Sequence, residues 1–402
     1  MANLPPLPSI VDETGLTSPE TKARAQLIKE LSDNEEQLEL LLESKRVAAG
    51  VRLQDELHPP EGSGDCPICL ETIKHVNYRT ISRLFCCGGF ICRQCSDRNI
   101  DTKKLILKCP LCRENIPHSY DYEEIRSMVL GHSNKGKAWA QTQIGIWYLG
   151  EESGSNFVAF DEEKGLQFLK QAADQHDSDA LLEMALAYSG KTMKRDESKY
   201  MYYLKEAADL GHPGAQRELG LAYESSNDEK TRLHYITLAA SQGDAQACYT
   251  LGAYFMCAEC GLTKSLILAK HYSEKSLEED EESKNLVPYS ACNFSCALLD
   301  LDEVWYEGVM EIPGHSPIPK ALFWARKSLE LANDSFPMRD NAIHVISDCE
   351  KAKRHCANCR KENECASFKR CVRCLGAWYC GKECQVQHWK AGHKIDCIKR
   401  KC

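Results

Sequence analysis

The sequence lacks the long apolar runs and the leader that direct a chain into or across a membrane. Its 402 residues contain no run of 18 apolar side chains, so we expect no membrane span. The first ten residues, MANLPPLPSI, have no basic region and no apolar core, so we expect no secretory signal. We therefore predict an intracellular protein that is cytoplasmic, nuclear or both.

Residue patterns for catalysis are also missing. The sequence contains no hydrolase triad, no phosphate-binding loop and no paired carboxylates at the spacing of an acid–base site. Its hydrophobic fraction of 43% and its charged fraction of 27% are ordinary for a globular protein. We therefore predict no catalytic residue of the chain's own, and a length that accommodates two to four domains.

Cysteine, in contrast, is abundant, with 23 residues in the chain. In a reducing compartment such a number favours metal sites over disulfides. Eight of the cysteines lie within residues 66–112 and eight within residues 356–397. This concentration at two places predicts two metal-binding modules.

A repeated pattern fills the stretch between the two cysteine-rich segments. An alanine, an aliphatic–small pair and an aromatic residue recur at Ala140, Ala180, Ala215 and Ala247, after steps of 40, 35 and 32 residues. Small residues at fixed positions let two helices approach closely, and self-similarity at this period indicates stacked helix pairs. The sequence therefore predicts a solenoid of helices.

The pattern resembles the Sel1-like repeat, a relative of the tetratricopeptide repeat. That resemblance implies antiparallel helix pairs over residues 122–350. Residues 289–308 and 321–331 form a last, degenerate pair in this interpretation, as expected for a terminal repeat that presents a polar outer face.

The segment before the first cysteines divides into a tail and a helix. Residues 1–20 contain four prolines and are predicted to be disordered, whereas residues 21–58 predict an amphipathic helix. Its apolar face consists of Leu27, Leu31, Leu38, Leu41 and Leu42. We favour a helix docked on its own protein over a coiled-coil dimer, because Asn34, Lys45 and Arg52 occupy seam positions.

The first cysteine segment, residues 63–118, resembles a RING finger. Two residues between paired cysteines let a tight turn direct both thiolates at one ion, and eight thiolates suffice for two tetrahedral zinc sites. The resemblance implies one zinc on Cys66, Cys69, Cys92 and Cys95. It implies a second zinc on Cys86, Cys87, Cys109 and Cys112. Unlike most RING fingers, this segment has no histidine among its ligands.

RING fingers often act as ubiquitin ligases that hold a ubiquitin-charged conjugating enzyme (E2) on a shallow apolar groove. By resemblance the groove consists of Ile68, Pro110 and Leu111, and Arg113 falls where active members carry an arginine that bridges the E2 and ubiquitin. The bulky aromatic that many active members carry before the last cysteine pair is missing. Only Leu105, Ile106 and Leu107 stand near its place.

The second cysteine segment, residues 354–397, resembles a MYND-type zinc finger over its whole length. The pattern includes Tyr379-Cys380 followed by Cys384-Gln385, then Trp389, His393 and Cys397. The resemblance implies one zinc on Cys356, Cys359, Cys380 and Cys384, and another on Cys371, Cys374, His393 and Cys397. Cys365 has no role in this pattern, and His388 is interpreted as a surface neighbour of Trp389.

The carboxyl-terminal segment, with the tail at residues 398–402, is basic. From Lys351 onward it holds 14 Lys or Arg and 4 Asp or Glu, which raises the possibility of a nucleic-acid partner. Zinc thiolates reduce that excess, and the aromatic interleaving of a nucleic-acid reader is sparse. MYND fingers mainly hold proline-rich peptides, and Pro5-Pro6-Leu7-Pro8 of this chain is such a segment.

The cysteines outside the two segments do not form a complete set of metal ligands. Cys257 and Cys260 have metal spacing, and Cys292 and Cys296 stand one helical turn apart. We interpret them as small core residues, because cysteine often serves as one and no further ligand pair accompanies them.

Together the segments predict a mainly α protein: a helical-repeat solenoid flanked in sequence by two small zinc-stabilised domains that hold four Zn²⁺ ions. They resemble multi-module proteins common in protists. The leading hypothesis is a RING-type ubiquitin ligase that uses its repeats and MYND finger to recruit a substrate protein. The alternatives are a non-catalytic scaffold and, with less support, a nucleic-acid-associated regulator. Nothing in the sequence indicates the E2, the substrate or the oligomeric state.

Overall fold

Helices dominate the structure, a computed structural model. It describes residues 19–58, 64–73, 76–77, 80–101, 108–114, 122–150, 158–191, 195–226, 228–277, 287–306, 318–333, 335–351, 356–358, 361, 368–374, 377–394 and 397. The chain divides into two compact units, one formed by Ala49–Gln242 and the other by Met1–Ala48 with Gly243–Cys402. Among the described residues, no helix has the length and apolarity needed to cross a membrane.

The first helix, α1, covers Pro19–Leu57 and matches the predicted helix within two residues at each end. In the unit that contains residues 1–48, its acidic side chains make the contacts. Lys270 Nζ lies 2.7 Å from Glu36 Oε1, and Tyr272 donates its hydroxyl to Glu43 at 2.6 Å. The helix therefore docks on its own protein as predicted, but through glutamates, while the leucines stay exposed.

The cysteine-rich module in the unit of residues 49–242 consists of two short hairpins and one helix. Strand β1 (Gly64–Asp65) pairs with β2 (Thr72–Ile73), and β3 (Ile81–Arg83) pairs with β4 (Phe90–Cys92). Helix α2 (Arg93–Asp101) follows β4 directly. Each strand has only two or three residues, so the module has little hydrogen-bonded sheet to hold it together.

The described residues of the repeat region in the same unit form seven α-helices. They are α3 (Tyr122–Ser133), α4 (Ala138–Leu149), α5 (Glu162–Ala173), α6 (Ser178–Leu186), α7 (Glu197–Asp209), α8 (Pro213–Ala222) and α9 (Glu229–Ser241). Helix α4 packs on α5, α6 on α7 and α8 on α9, which are the helix pairs predicted from the repeat. Aspartate caps begin many of these helices; the Asp177 carboxylate, for example, accepts from the N–H of Ala180.

The other unit continues with five helices of the same region and one small hairpin. The helices are α10 (Ala245–Cys257), α11 (Leu266–Lys275), α12 (Val287–Tyr306), α13 (Ile318–Leu331) and α14 (Arg339–Lys351). Here α10 packs on α11, and α12 packs on α13. The hairpin of β5 (Lys369–Arg370) and β6 (Trp378–Tyr379) precedes α15 (Lys382–His388) in the second cysteine-rich module.

Small residues lie at the helix crossings, as the repeat pattern predicted. A Cβ on Gly145 would stand 2.7 Å from the Leu169 side chain, and one on Gly220 would stand 2.9 Å from Ile236. In each helix pair from α4–α5 to α10–α11 an aromatic pair stacks nearly parallel, as in Tyr188–Tyr203, whose ring centroids are 5.9 Å apart. The fold class is thus mainly α: helical repeats with a cysteine-rich module on either side in sequence.

Candidate metal centres

The first cysteine-rich module brings its thiols together in two groups of four. Cys66, Cys69, Cys92 and Cys95 form one group, and Cys86, Cys87, Cys109 and Cys112 form the other; within each group all sulfurs lie within 4.8 Å of one another. Along the chain, the first and third cysteine pairs form one group and the second and fourth pairs form the other. This is the interleaved order that the RING resemblance implied.

The sulfur–sulfur distances fit tetrahedral zinc. Cys69 and Cys92 are 3.7 Å apart, and Cys87 and Cys109 are 3.8 Å apart. Four sulfurs at about 2.3 Å from a zinc ion are separated by about 3.8 Å, the edge of the tetrahedron. The donor set and its spacing therefore suit Zn²⁺ without rearrangement.

Two matching turns carry the first and last cysteine pairs. In one, the N–H of Leu70 bonds to the carbonyl of Cys66 at 2.8 Å; in the other, the N–H of Arg113 bonds to the carbonyl of Cys109 at 2.9 Å. Leu70 and Arg113 both adopt left-handed backbone conformations, with φ of 61° and 64°. Because this conformation is unfavourable for residues other than glycine, the turns are held against local strain.

The pKa values of the thiols in the first group differ widely, because the four sulfurs lie close together. Burial raises the pKa of Cys66, but backbone N–H groups, among them that of Cys92, overcome this effect and lower it to about 6. The hydrogen bond with Cys92, together with burial, raises the pKa of Cys95 to about 12. Four thiols this close ionise together only when a cation compensates their charge, which a bound Zn²⁺ would do.

The second cysteine-rich module forms two further groups. Cys371, Cys374, His393 and Cys397 lie together, with His393 Nε2 at 3.6 Å from the sulfur of Cys374. The other group contains Cys356, Cys380 and Cys384, with 3.4 Å between the sulfurs of Cys380 and Cys384. Its predicted fourth ligand, Cys359, lies outside the described residues, as does Cys365. The chemistry of both groups again suits Zn²⁺.

His388 lies in the core of this module, so its interpretation as a surface neighbour of Trp389 is wrong. Its side chain is buried, its Nδ1 lies 2.9 Å from the Tyr379 hydroxyl, and its ring stacks on His393 at 4.6 Å between centroids. His388 ends α15, one helical turn after Cys384, so it faces inward with the ligands. The four-residue spacing between Cys384 and His388 in a helix could have predicted that His388 faces the zinc ligands.

The residues predicted to contact an E2 lie on the surface of the first module. Ile68 is 44% exposed and Leu111 is 36% exposed, and Pro110 and Arg113 are also exposed. A Cβ on Gly89 would stand 2.5 Å from Leu111, so the glycine lets Leu111 lie flat against the turn. Leu105, Ile106 and Leu107 lie outside the described residues.

An aromatic contact that was not predicted joins this module to the first repeat helices, all within residues 49–242. The guanidinium of Arg83 lies 5.3 Å from the ring centres of both Phe90 and Trp139, and Phe85 stacks on Trp139. A Cβ on Gly88 would stand 3.1 Å from Trp139. Because arginine stacked between aromatic rings adds attraction to packing, the module is held firmly on α4. No local sequence signal marks such a long-range contact.

The cysteines between the two modules lie among apolar neighbours or at a helix end. Cys292 and Cys296 pack near Tyr289, and the thiol of Cys292 lies 3.8 Å from the carbonyl oxygen of Met338. Cys257 ends α10, and Cys260 is buried in the loop that follows. This loop joins the two helices of one pair, which is where the repeat pattern placed it.

Residues 356–397 match the model of the MYND finger family. The chain is also similar to a solved structure of a protective antigen from uropathogenic Escherichia coli with an SLR fold, at 18% identity, covering 71% of this chain and 53% of the antigen, with a TM-score of 0.43. A Sel1 repeat protein from Oxalobacter formigenes is 19% identical over 53% of this chain and 80% of its own, with a TM-score of 0.40. The chain thus spans about half the length of the antigen.

The MYND match and the four ligand groups define a zinc-binding protein-interaction protein. Its cofactor is Zn²⁺, as predicted. Its amino-terminal module has a cysteine arrangement consistent with a RING-like domain.

Proposed function

We propose that the protein is a RING-type ubiquitin ligase whose amino-terminal module holds a ubiquitin-charged E2 while its repeats and MYND finger recruit the substrate protein. The observation that carries the proposal is the exposure of Ile68 and Leu111 on two matching cysteine turns of one module. An apolar side chain at the tip of each turn gives an E2 loop two anchors on a support that zinc makes rigid.

The ligase contributes no nucleophile in this proposal. A lysine amine of the substrate attacks the thioester between ubiquitin and the E2 cysteine; an amide bond forms, the thioester breaks and the E2 thiol leaves with the proton. The module accelerates this step by holding the charged E2 in one orientation near the substrate, which lowers the entropic part of the barrier.

Arg113 is the residue proposed to hold ubiquitin against the E2. Its guanidinium offers five N–H donors in a planar fork, which can hold carbonyl groups of two partners at once. Its left-handed backbone sets the direction of the side chain immediately after the last ligand, Cys112. A lysine there would keep the charge and lose the fork.

Peptide binding belongs to the MYND finger in this proposal, with proline-rich segments as its ligands. The chain's own candidate, Pro5-Pro6-Leu7-Pro8, lies outside the described residues. We also propose that the protein acts in the cytoplasm, the nucleus or both, where its thiols stay reduced and available for zinc.

A reconstituted transfer assay tests the ligase. Full-length protein is combined with ubiquitin, activating enzyme and a panel of E2 enzymes, and ubiquitin chains are measured. We expect Ile68→Ala and Arg113→Ala each to lower transfer about tenfold or more, the effect of losing one interface anchor, with zinc content unchanged.

The matched control is Val372→Ala. Val372 is 87% exposed within the Cys371–Cys374 turn of the MYND finger, so it is an exposed apolar side chain on a cysteine turn of the other module. Transfer should be unaffected by this change. Absence of transfer with every E2 would refute the ligase and leave the non-catalytic scaffold, which the missing aromatic before Cys109 also favours.

A further inference from the structure

Helix α1 presents its leucines to solvent and its glutamates to the protein. In the unit that contains residues 1–48, Glu36, Glu39 and Glu43 bond to Lys270, Ser265 and Tyr272. Amphipathic helices normally turn the apolar face toward the core. The reversed orientation leaves an apolar surface that the described residues of this unit do not cover.

Five leucines form this surface, which we name the leucine face. They are Leu27, Leu31, Leu38, Leu41 and Leu42, each between 51% and 62% exposed. Their spacing brings them onto one side of a helix with 3.6 residues per turn. Asn34 and Lys45 lie on the same side, so the leucines form two groups, Leu27 with Leu31 and Leu38 with Leu41 and Leu42. Together the two groups expose about 500 Å², and apolar surface of this extent on a monomeric protein is often functional.

Acidic side chains border the leucine face. Glu30 is exposed beside one edge of the face and Glu35 beside the other. A partner that covers the leucines must bring its own side chains next to these carboxylates. Lys or Arg at those places would gain attraction, whereas Asp or Glu would be repelled.

A second copy of α1 does not suit the leucine face. In a parallel pair in register, residue 30 of one helix would stand beside residue 35 of the other, and both are glutamates. In an antiparallel pair that opposes Leu31 with Leu41, the two copies of Glu35 would meet. Either arrangement brings like charges together at the centre of the contact.

We propose that the leucine face is a docking site for an amphipathic helix of another protein, with leucine-type anchors at heptad spacing and Lys or Arg on both flanks. Docking would bury about 1,000 Å² in total, close to the lower limit of specific interfaces, where complexes are typically weak and transient. The proposal rests on α1 alone and is independent of ubiquitin transfer.

Synthetic peptides and the full-length protein provide the test. The probe is a 28-residue helix with Leu at the a and d positions and Lys at e and g; its control carries Glu at e and g. Like charges keep each peptide from pairing with itself. Binding of fluorescent peptide is measured by anisotropy against wild type, Leu31→Asp, Leu38→Asp and Ile343→Asp.

The proposal expects binding of the Lys peptide at least tenfold tighter than that of the Glu peptide. Leu31→Asp and Leu38→Asp should each weaken it about tenfold or more, whereas Ile343→Asp, at an exposed apolar position of α14, should not. Glu35→Lys should reduce the preference for the Lys peptide. Circular dichroism establishes that each variant keeps its helix content.

Two results would overturn the proposal. One is equal or absent binding of both peptides to wild-type protein that keeps its helix content. The other is a concentration-dependent dimer in sedimentation that disappears in Leu31→Asp, because it would assign the leucine face to a second copy of the chain.

Discussion

Replacing Tyr272 with phenylalanine tests whether α1 is held by its acidic face. The Tyr272 hydroxyl donates to the buried carboxylate of Glu43 at 2.6 Å, and Arg46 pairs with the same carboxylate, also at 2.6 Å. Phenylalanine keeps the stack on Phe255, whose ring centre is 5.8 Å away, and loses only the hydroxyl. The substitution therefore isolates one hydrogen bond.

The expected cost is about 2 kcal/mol, since a hydrogen bond to a charged group contributes about 1.5–3 kcal/mol. Amide hydrogen exchange of residues 36–48 measures this loss of stability. A loss of about 2 kcal/mol should speed exchange through local opening about 30-fold. Tyr202→Phe is the control, because Tyr202 is exposed and no hydrogen bond of its hydroxyl is expected to be lost.

A double-mutant cycle with Glu43→Gln separates the bond from other effects of the two substitutions. We expect a coupling of about 1 kcal/mol or more between Tyr272→Phe and Glu43→Gln. Unchanged exchange in Tyr272→Phe, or a coupling near zero, would refute docking through the acidic face and with it the outward orientation of the leucines.

Three further predictions concern the backbone, the repeats and the metal. Arg113→Gly should lower ubiquitin transfer about tenfold or more, as Arg113→Ala does, because both remove the guanidinium. Stability should stay equal or rise by about 1 kcal/mol, because glycine tolerates a φ of 64°; a loss of stability in thermal unfolding would contradict the strain. Gly220→Ala should destabilise the repeats by about 1–3 kcal/mol through contact with Ile236, whereas Gly131→Ala, with open space in α3, should be neutral or stabilising in denaturant unfolding. When zinc is added back at pH 7 to protein stripped of metal by a chelator, protons should be released, because the raised pKa of Cys95, about 12, keeps that thiol protonated without zinc. For the same reason zinc affinity should increase with pH. Zinc uptake in weak buffer without proton release would contradict thiolate ligation.

The sequence was sufficient where short spacing determines the structure. The two-residue gaps in Cys66–Cys69 and Cys109–Cys112 force tight turns, so the ligands of each pair come together whatever surrounds them. The alanine and glycine positions likewise determine where helices can cross, and Gly145 and Gly220 lie at such crossings. These features depend on residues that are close together in the sequence, so residue type and spacing are enough to predict them.

Contacts between distant residues could not be predicted in this way. The leucine pattern of α1 indicated a docked helix, but which face docks depends on Lys270 and Tyr272, more than 200 residues away. The stacking of Arg83 on Trp139 likewise joins separate parts of the chain. A single long-range contact of this kind involves one side chain from each part of the chain. It therefore produces no repeating pattern in the sequence from which it could be predicted.

The zinc content of the purified protein tests the central claim most directly. Native mass spectrometry of the full-length chain, prepared under reducing conditions, should show four zinc ions, one for each group of thiols. Cys66→Ser with Cys69→Ser, and separately Cys371→Ser with Cys374→Ser, should each remove one ion and leave the helix signal of the repeats in place. A zinc-free protein with its helices intact, or disulfides in place of zinc, would contradict the account.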